Sequence, residues 1–182
     1  MNEGLLSKRY AKALLDYADS VGMADELYPR MKALAREIMA IPDIERILSS
    51  PIIAKTDKRK VIMDLMPDAP EILARFVDLV LNKEREEYLA KMALVYADLY
   101  RRSRNISVIR LISAKPLGAE AVGRICRTVE SQTGGTTEVE QTTDESIGGG
   151  FIFQVDDRRL DASIRGQFER IKRELLQKTD KL

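Results

Sequence analysis

The sequence predicts an all-α six-helix N-terminal bundle over residues 1–105, followed by a small α+β domain over residues 106–182. Three observations support this prediction. Apolar residues repeat at helical spacing from residue 4 to about residue 104, with glycine and proline interruptions. The segment ISVIRLIS (106–113) is then short, β-branched and apolar on both faces, which is typical of a central strand. Three glycines (148–150) directly precede a second apolar run, FIFQV.

Four helices are predicted before Pro67. The first runs from about Gly4 to Val21 and ends at Gly22, and the second spans about Ala24 to Ala40. Two short helices follow near 43–48 and 55–66. Their apolar stripes are Leu6, Tyr10, Leu14 and Tyr17 in the first helix and Leu27, Met31, Leu34 and Ile38 in the second.

Two longer helices complete the first domain. Asp68 is a candidate cap for the fifth, with Glu71 three positions on, as in a variant capping box. The sixth is predicted over about Lys83 to Arg104, and the basic side chains at its end suit a helix C-terminus. Its expected apolar side consists of Tyr88, Met92, Val95 and Leu99.

The second domain alternates strands and helices. A helix over GAEAVGRICRTVESQ is expected to turn Val122, Ile125, Cys126 and Val129 inward and to stop at Gly134. TTEVEQTT and GFIFQV are predicted strands, and DDRR (156–159) is a predicted turn. Asp161 is the expected cap of a last helix, whose apolar side comprises Ile164, Phe168, Ile171 and Leu175.

The composition leaves little for catalysis. The 182 residues include no His, no Trp and a single cysteine, Cys126, and the 30 basic and 29 acidic side chains nearly cancel. Without imidazole, most zinc and haem sites and every histidine base are excluded. Cys126 lies in an apolar helical stretch, where core filling is expected. We therefore predict no catalytic residue, no cofactor and no metal site.

The glycine run does not fit a nucleotide-binding loop. A dinucleotide fingerprint places its glycines between a strand and a helix N-terminus, whereas here they precede a strand. Close backbone packing or a bend is the better interpretation. The carboxylate pairs Glu86-Glu87 and Asp156-Asp157 are expected to be turn and surface groups. The basic runs DKRK and RRSR lack a sustained basic face, so no nucleic-acid partner is predicted.

The N-terminal segment lacks the pattern of a signal peptide, and no run approaches the roughly 20 apolar residues that cross a bilayer. We therefore expect a cytoplasmic chain that meets a membrane only indirectly.

The first domain carries more apolar surface than one face can hold. Apolar residues wrap most of the fifth helix, and the first helix adds Ala11, Leu15 and Ala18 beside its main stripe. Two explanations stay open: a central buried helix, or a groove for another amphipathic helix.

Three segments resemble the delta subunit family of bacterial F-type ATP synthase, whose mitochondrial members are called oligomycin sensitivity conferring protein. They are RYAKALLDYA (9–18), FVDLVLNKEREEYL (76–89) and SIGGGFIFQVDDRRLDASIRGQFERIKREL (146–175). The resemblance runs from end to end, with order and length as expected for the family.

The resemblance implies a non-catalytic stator protein, peripheral on the cytoplasmic face of the bacterial inner membrane. In that family the N-terminal domain binds N-terminal helices of alpha subunits, one of them between the first and fifth helices, and the C-terminal domain binds the b subunits of the peripheral stalk. Carried over by position, the groove would comprise Tyr10, Ala13, Leu14, Tyr17, Phe76, Val77 and Val80. Ala11 and Leu15 are alternative candidates for the residues of the first helix that face outward into the groove. Ile164 and Phe168 are expected in the core of the second domain.

Two other functions remain as alternatives at this stage. The chief one is a nucleic-acid-binding or regulatory adaptor protein, and an enzyme using the glycine loop comes third. If the groove hypothesis holds, Val80→Asp is expected to weaken binding of an alpha-subunit peptide while leaving the bundle folded.

Overall fold

The computed structural model describes residues 3–155 and 158–179, with the backbone alone at residues 171 and 173–179. Over these residues the chain is mostly helical, with eight α-helices and one mixed four-stranded sheet. It divides into two compact units, Met1–Ser103 and Arg104–Leu182.

Helices make up the first unit. They are α1 (Glu3–Ser20), α2 (Ala24–Ala40), α3 (Pro42–Ser49), α4 (Lys55–Asp64), α5 (Glu71–Asn82) and α6 (Leu89–Ser103), with a short 3-10 turn at Glu86–Tyr88. Gly22 has a φ of +71° just past the end of α1. This left-handed conformation suits glycine and allows the chain to turn into α2.

The core of the first unit is built around α6, which packs against both α1 and α2. Its buried face carries Leu89, Met92 and Tyr96. The Tyr96 hydroxyl donates a hydrogen bond to the Ala24 carbonyl oxygen at 3.4 Å, so this buried polar atom has a partner. The Tyr100 ring stacks on Tyr28 with the ring centroids 4.3 Å apart.

The expected start of α6 was wrong, and of its expected apolar side only Met92 is fully buried. The helix begins at Leu89 rather than near Lys83, because Glu84 has a φ of +55° and the 3-10 turn follows. The buried face of α6 is also rotated relative to the predicted one, since Val95 and Leu99 are only half-buried.

The expected cap of α5 was also wrong. The N-cap position is Pro70, with no side-chain capping hydrogen bond, and Asp68 lies before it in a turn. A proline disfavours helical conformation in the residue before it, so the helix starts only after Pro70.

Lys58 and Glu86 form a buried ion pair that contradicts the expected surface position of Glu86. The Lys58 ammonium donates to Glu86 Oε1 at 2.6 Å and to the Leu48 carbonyl oxygen at 2.8 Å. Both side chains are at least nine-tenths buried. The pair therefore ties α3 and α4 to the 3-10 turn before α6.

The second unit contains β1 (Ile106–Ser113), α7 (Ala119–Thr133), β2 (Thr136–Thr143), β3 (Phe151–Val155), β4 (Arg158–Asp161) and α8 (Ile164–Thr179), with a 3-10 turn at Glu145–Ile147. The strand order is β2-β1-β3-β4. β1 pairs in parallel with β2 and antiparallel with β3, and β3 pairs antiparallel with β4.

Within this unit β4 was not predicted, since its sequence RRLD is short and highly charged. Asp156 and Asp157 of the predicted turn lie outside the described residues. On α7, Val129 is buried, whereas Val122, Ile125 and Cys126 are half-buried.

The three glycines form a tight corner against the connection between β4 and α8. Gly148, Gly149 and Gly150 have φ values of +74°, +138° and +74°. A Cβ atom on Gly150 would collide with the Ala162 carbonyl oxygen, and one on Gly149 would lie 2.7 Å from Ile164 Cδ1. Close backbone packing explains the glycine run, as predicted.

The cap of α8 is Ser163 rather than Asp161. The Gly166 amide donates to Ser163 Oγ at 3.0 Å, and Asp161 Oδ1 accepts hydrogen bonds from the Ser163 hydroxyl and amide at 2.6 and 3.1 Å. The hydrogen bonds from Ser163 lower the pKa of the Asp161 carboxyl below its usual value. The carboxylate thus holds the capping residue in place.

The expected core position of Ile164 and Phe168 was wrong. Their side chains are 46% and 69% exposed on α8. Ile171 and Leu175, the other half of the predicted apolar side, have side chains outside the described set.

Candidate partner-binding site

An apolar cavity of about 420 Å³ lies between α1 and α5. Helical spacing explains how each helix contributes one wall, because residues three or four positions apart share a face. The lining residues are Arg9, Tyr10, Ala13, Leu14 and Tyr17 from α1 and Ile72, Arg75, Phe76 and Leu79 from α5.

Five of the residues that the sequence indicated line this cavity: Tyr10, Ala13, Leu14, Tyr17 and Phe76. Tyr17 is 48% exposed, whereas Leu14 and Phe76 are buried and form the inner wall. The structure thus brings together residues about 60 positions apart in the chain.

Val77 and Val80, the other two indicated residues, are fully buried and are not among the residues that line the cavity. They lie on the side of α5 that packs into the unit. A partner contact at these two valines stays a prediction. Ala11 and Leu15, the competing candidates on α1, are buried as well.

Sequence reasoning missed four lining residues: Arg9, Ile72, Arg75 and Leu79. The spacing of Ile72, Phe76 and Leu79 was an available signal, because positions i, i+4 and i+7 share one helix face. The signal was obscured because Leu73, Val77 and Val80 form a second apolar stripe on the same helix. Only packing shows that the second stripe is wholly buried, whereas the first stripe lines the cavity and ends in the exposed Leu79.

The polar groups at the cavity are basic and aromatic. The Arg75 guanidinium donates to Glu71 Oε1 through Nε at 3.1 Å and Nη2 at 2.6 Å. The hydrogen bond to Glu71, followed by the charge of Glu71 and an interaction with Tyr17, raises the pKa of Arg75 above its usual value. The Arg9 guanidinium lies 6.0 Å from the centroid of the Tyr10 ring.

The residues that line this cavity include no Asp, Glu, His, Cys, Ser or Lys. Within residues 3–155 and 158–179, no cluster of three or more His, Cys, Asp or Glu side chains is placed to bind a metal ion. An apolar floor with a charged rim is suited instead to binding an amphipathic segment.

The second unit exposes its own apolar side chains. Phe151 on β3, Leu160 on β4, and Ile164 and Phe168 on α8 are each more than one-third exposed. Leu160 is paired with Phe153 in the sheet, so these two side chains share a sheet face.

None of the described helices combines the length and the low charge that a bilayer-spanning helix needs.

Comparisons with known proteins agree along the whole chain. The family model for the ATP synthase delta (OSCP) subunit matches residues 6–175. The ATP synthase subunit delta of Phocaeicola vulgatus is 39% identical over 181 residues, covering 98% of both chains. That of Bacteroides thetaiotaomicron is 36% identical over 185 residues, covering the full length of both.

A solved structure shows the same fold at low identity. A chain in the cryo-EM structure of the Toxoplasma gondii mitochondrial ATP synthase hexamer superposes with a TM-score of 0.69 at 20% identity, covering 94% of this chain and 97% of that one. The family model and the two full-length relatives show that the chain belongs to the ATP synthase delta (OSCP) subunit family.

Proposed function

We propose that this chain is a non-catalytic stator subunit of F-type ATP synthase, which links the alpha subunits of the catalytic head to the b subunits of the peripheral stalk. Family membership over residues 6–175 is the observation that carries this proposal. The apolar cavity between α1 and α5 and the exposed apolar residues of the second unit support it.

The first unit, a bundle of helices α1 to α6, binds the head. Its cavity receives the N-terminal helix of an alpha subunit, with Leu14 and Phe76 as the floor and Tyr17 and Leu79 as exposed edges. An amphipathic helix laid into an apolar groove buries its own apolar stripe and the groove lining together.

The second unit binds the b subunits through β3, β4 and α8. Exposed apolar side chains at Phe151, Leu160, Ile164 and Phe168 provide contact area without a catalytic group. The protein meets the membrane only through the complex, on its cytoplasmic face.

The mechanical task follows from these two attachments. A stator keeps the head from turning with the rotor, so that torque changes the conformation of catalytic sites on other subunits. Slow dissociation matters most for this task, and differences in affinity between related complexes lie mainly in the dissociation rate. Seated helices supply such contacts without any bond being made or broken in this chain.

The head contact is tested with Leu79→Asp and a synthetic peptide of the N-terminal helix of the alpha subunit from the same genome. Leu79 is 48% exposed and lines the cavity, so a carboxylate there leaves the core intact and places a charge in the apolar contact. Calorimetric titration is expected to show affinity reduced about tenfold or more.

Leu94→Asp is the matched control, because Leu94 is 44% exposed on α6 and does not line this cavity. Equal affinity of wild type and Leu79→Asp for the peptide would contradict the assignment of the groove. Val80→Asp, the variant expected from sequence to stay folded, is unsuitable. Val80 is fully buried, so its charge would enter the core and unfold the bundle.

A further inference from the structure

The charged residues that line the cavity between α1 and α5 have a single sign. Of the lining residues, Arg9 and Arg75 are basic and none is acidic. A helix that presents only apolar and basic residues would leave this basic rim without a counter-charge, and like charges placed together disfavour binding.

The two arginines differ in whether an acidic side chain of the same chain already pairs with them. Arg75 is held by Glu71, with the shortest contact at 2.6 Å, so its charge is largely compensated within the chain. The Arg9 guanidinium lies over the Tyr10 ring, 6.0 Å from its centroid, and among the described residues no carboxylate lies within ion-pair distance of it. The uncompensated charge of the cavity is therefore at Arg9.

Arg9 also occupies a defined end of the cavity. It is the first of the α1 residues that line the cavity, and Tyr17, the last of them, lies eight positions further along the helix. At 1.5 Å of rise per residue, the wall that α1 contributes is about 12 Å long, with Arg9 at one end. A counter-charge on the partner is thus expected beside one end of the apolar contact.

We infer that the helix bound in this cavity carries an aspartate or glutamate at the edge of its apolar stripe, and that this carboxylate pairs with Arg9. This inference rests on the proposed function and specifies its partner. The apolar stripe supplies most of the affinity, and the ion pair selects acidic helices and fixes which end of the helix lies beside Arg9.

The test uses the full-length chain, the same alpha-subunit peptide, and a set of peptides in which each Asp or Glu is replaced singly by its amide. Calorimetric titration at low salt is expected to show Arg9→Gln weakening the wild-type peptide about two- to fivefold, as for an exposed ion pair. One of the amide peptides should bind the wild-type chain with an affinity reduced by the same factor. The affinity of that peptide should not fall further for Arg9→Gln, because the ion pair is already broken. The loss should shrink at 0.5 M salt.

Lys12→Gln is the matched control, since it removes the same charge from an exposed position of α1 that does not line the cavity. Circular dichroism establishes that both variants are folded. If wild type binds the peptide but Arg9→Gln and Lys12→Gln bind it equally well, the ion pair is refuted and the groove assignment stands. If wild type does not bind the peptide at all, both the head contact and this inference are refuted.

Discussion

Lys58 is a charged residue with a structural task. Its ammonium is enclosed with Glu86 and the Leu48 carbonyl oxygen, and Glu86 Oε2 is buried without a hydrogen-bond partner among the described residues. Glu86 therefore depends on Lys58 for the compensation of its charge. Removing one member of a buried ion pair costs more than removing both, because it leaves a buried charge alone.

We predict that Lys58→Met destabilises the first unit by about 3–5 kcal/mol, and that Lys58→Met combined with Glu86→Leu restores most of this loss. Urea unfolding followed by far-UV circular dichroism measures both. The exposed pair of Lys55 and Glu84, joined at 3.0 Å, is the control, and Lys55→Met should change stability little. A double variant less stable than Lys58→Met would show that the pair contributes more than charge compensation.

At the scale of elements, glycine has opposite roles in the second unit. Gly150 occupies a corner where its φ is +74° and a side chain would meet the Ala162 carbonyl. Gly123 lies inside α7, where an added Cβ would make only an ordinary 3.8 Å contact with Arg127. The corner needs glycine, whereas the helix only tolerates it.

We predict that Gly150→Ala destabilises the second unit by about 1–3 kcal/mol, because alanine is strained at this φ and collides with backbone. Gly123→Ala should stabilise the same unit by about 0.5–1 kcal/mol. Hydrogen exchange of the β1 and β3 amides measures the stability of the second unit separately from that of the first. Equal exchange rates in the two variants would refute the strained corner.

At the scale of the whole molecule, two compact units on one chain suit a tether with two attachments. When one attachment opens, the other keeps the chain at high effective concentration near its partner. The chain is therefore expected to stay bound to the complex when either contact is lost, but not when both are lost.

We predict that Leu79→Asp or Phe168→Asp alone leaves most of the chain on the reconstituted head and stalk. The double variant should dissociate at least about a hundredfold more readily than either. Phe168 is 69% exposed, so its replacement spares the core. Sedimentation of the complex after dilution measures retention, with Leu94→Asp as control. Release by one variant as complete as release by both would contradict the two attachments.

The sequence by itself determined most of the elements and the family. Helical periodicity located α2 at Ala24–Ala40, and β-branched residues located β1 at Ile106–Ser113. Both signals are local, since they depend on residues within a few positions of each other. The excess of apolar surface on the first and fifth helices was also visible, but which stripe of each faces out was not.

Only the tertiary structure decided how each of these two helices is rotated about its own axis. Val77 and Val80 are buried while Leu79 is exposed, because packing against the other helices fixes how α5 is rotated about its axis. The same dependence on distant neighbours placed Lys58 beside Glu86 and left Phe168 exposed on α8. Burial depends on contacts between residues far apart in the chain, which the spacing along one helix does not contain.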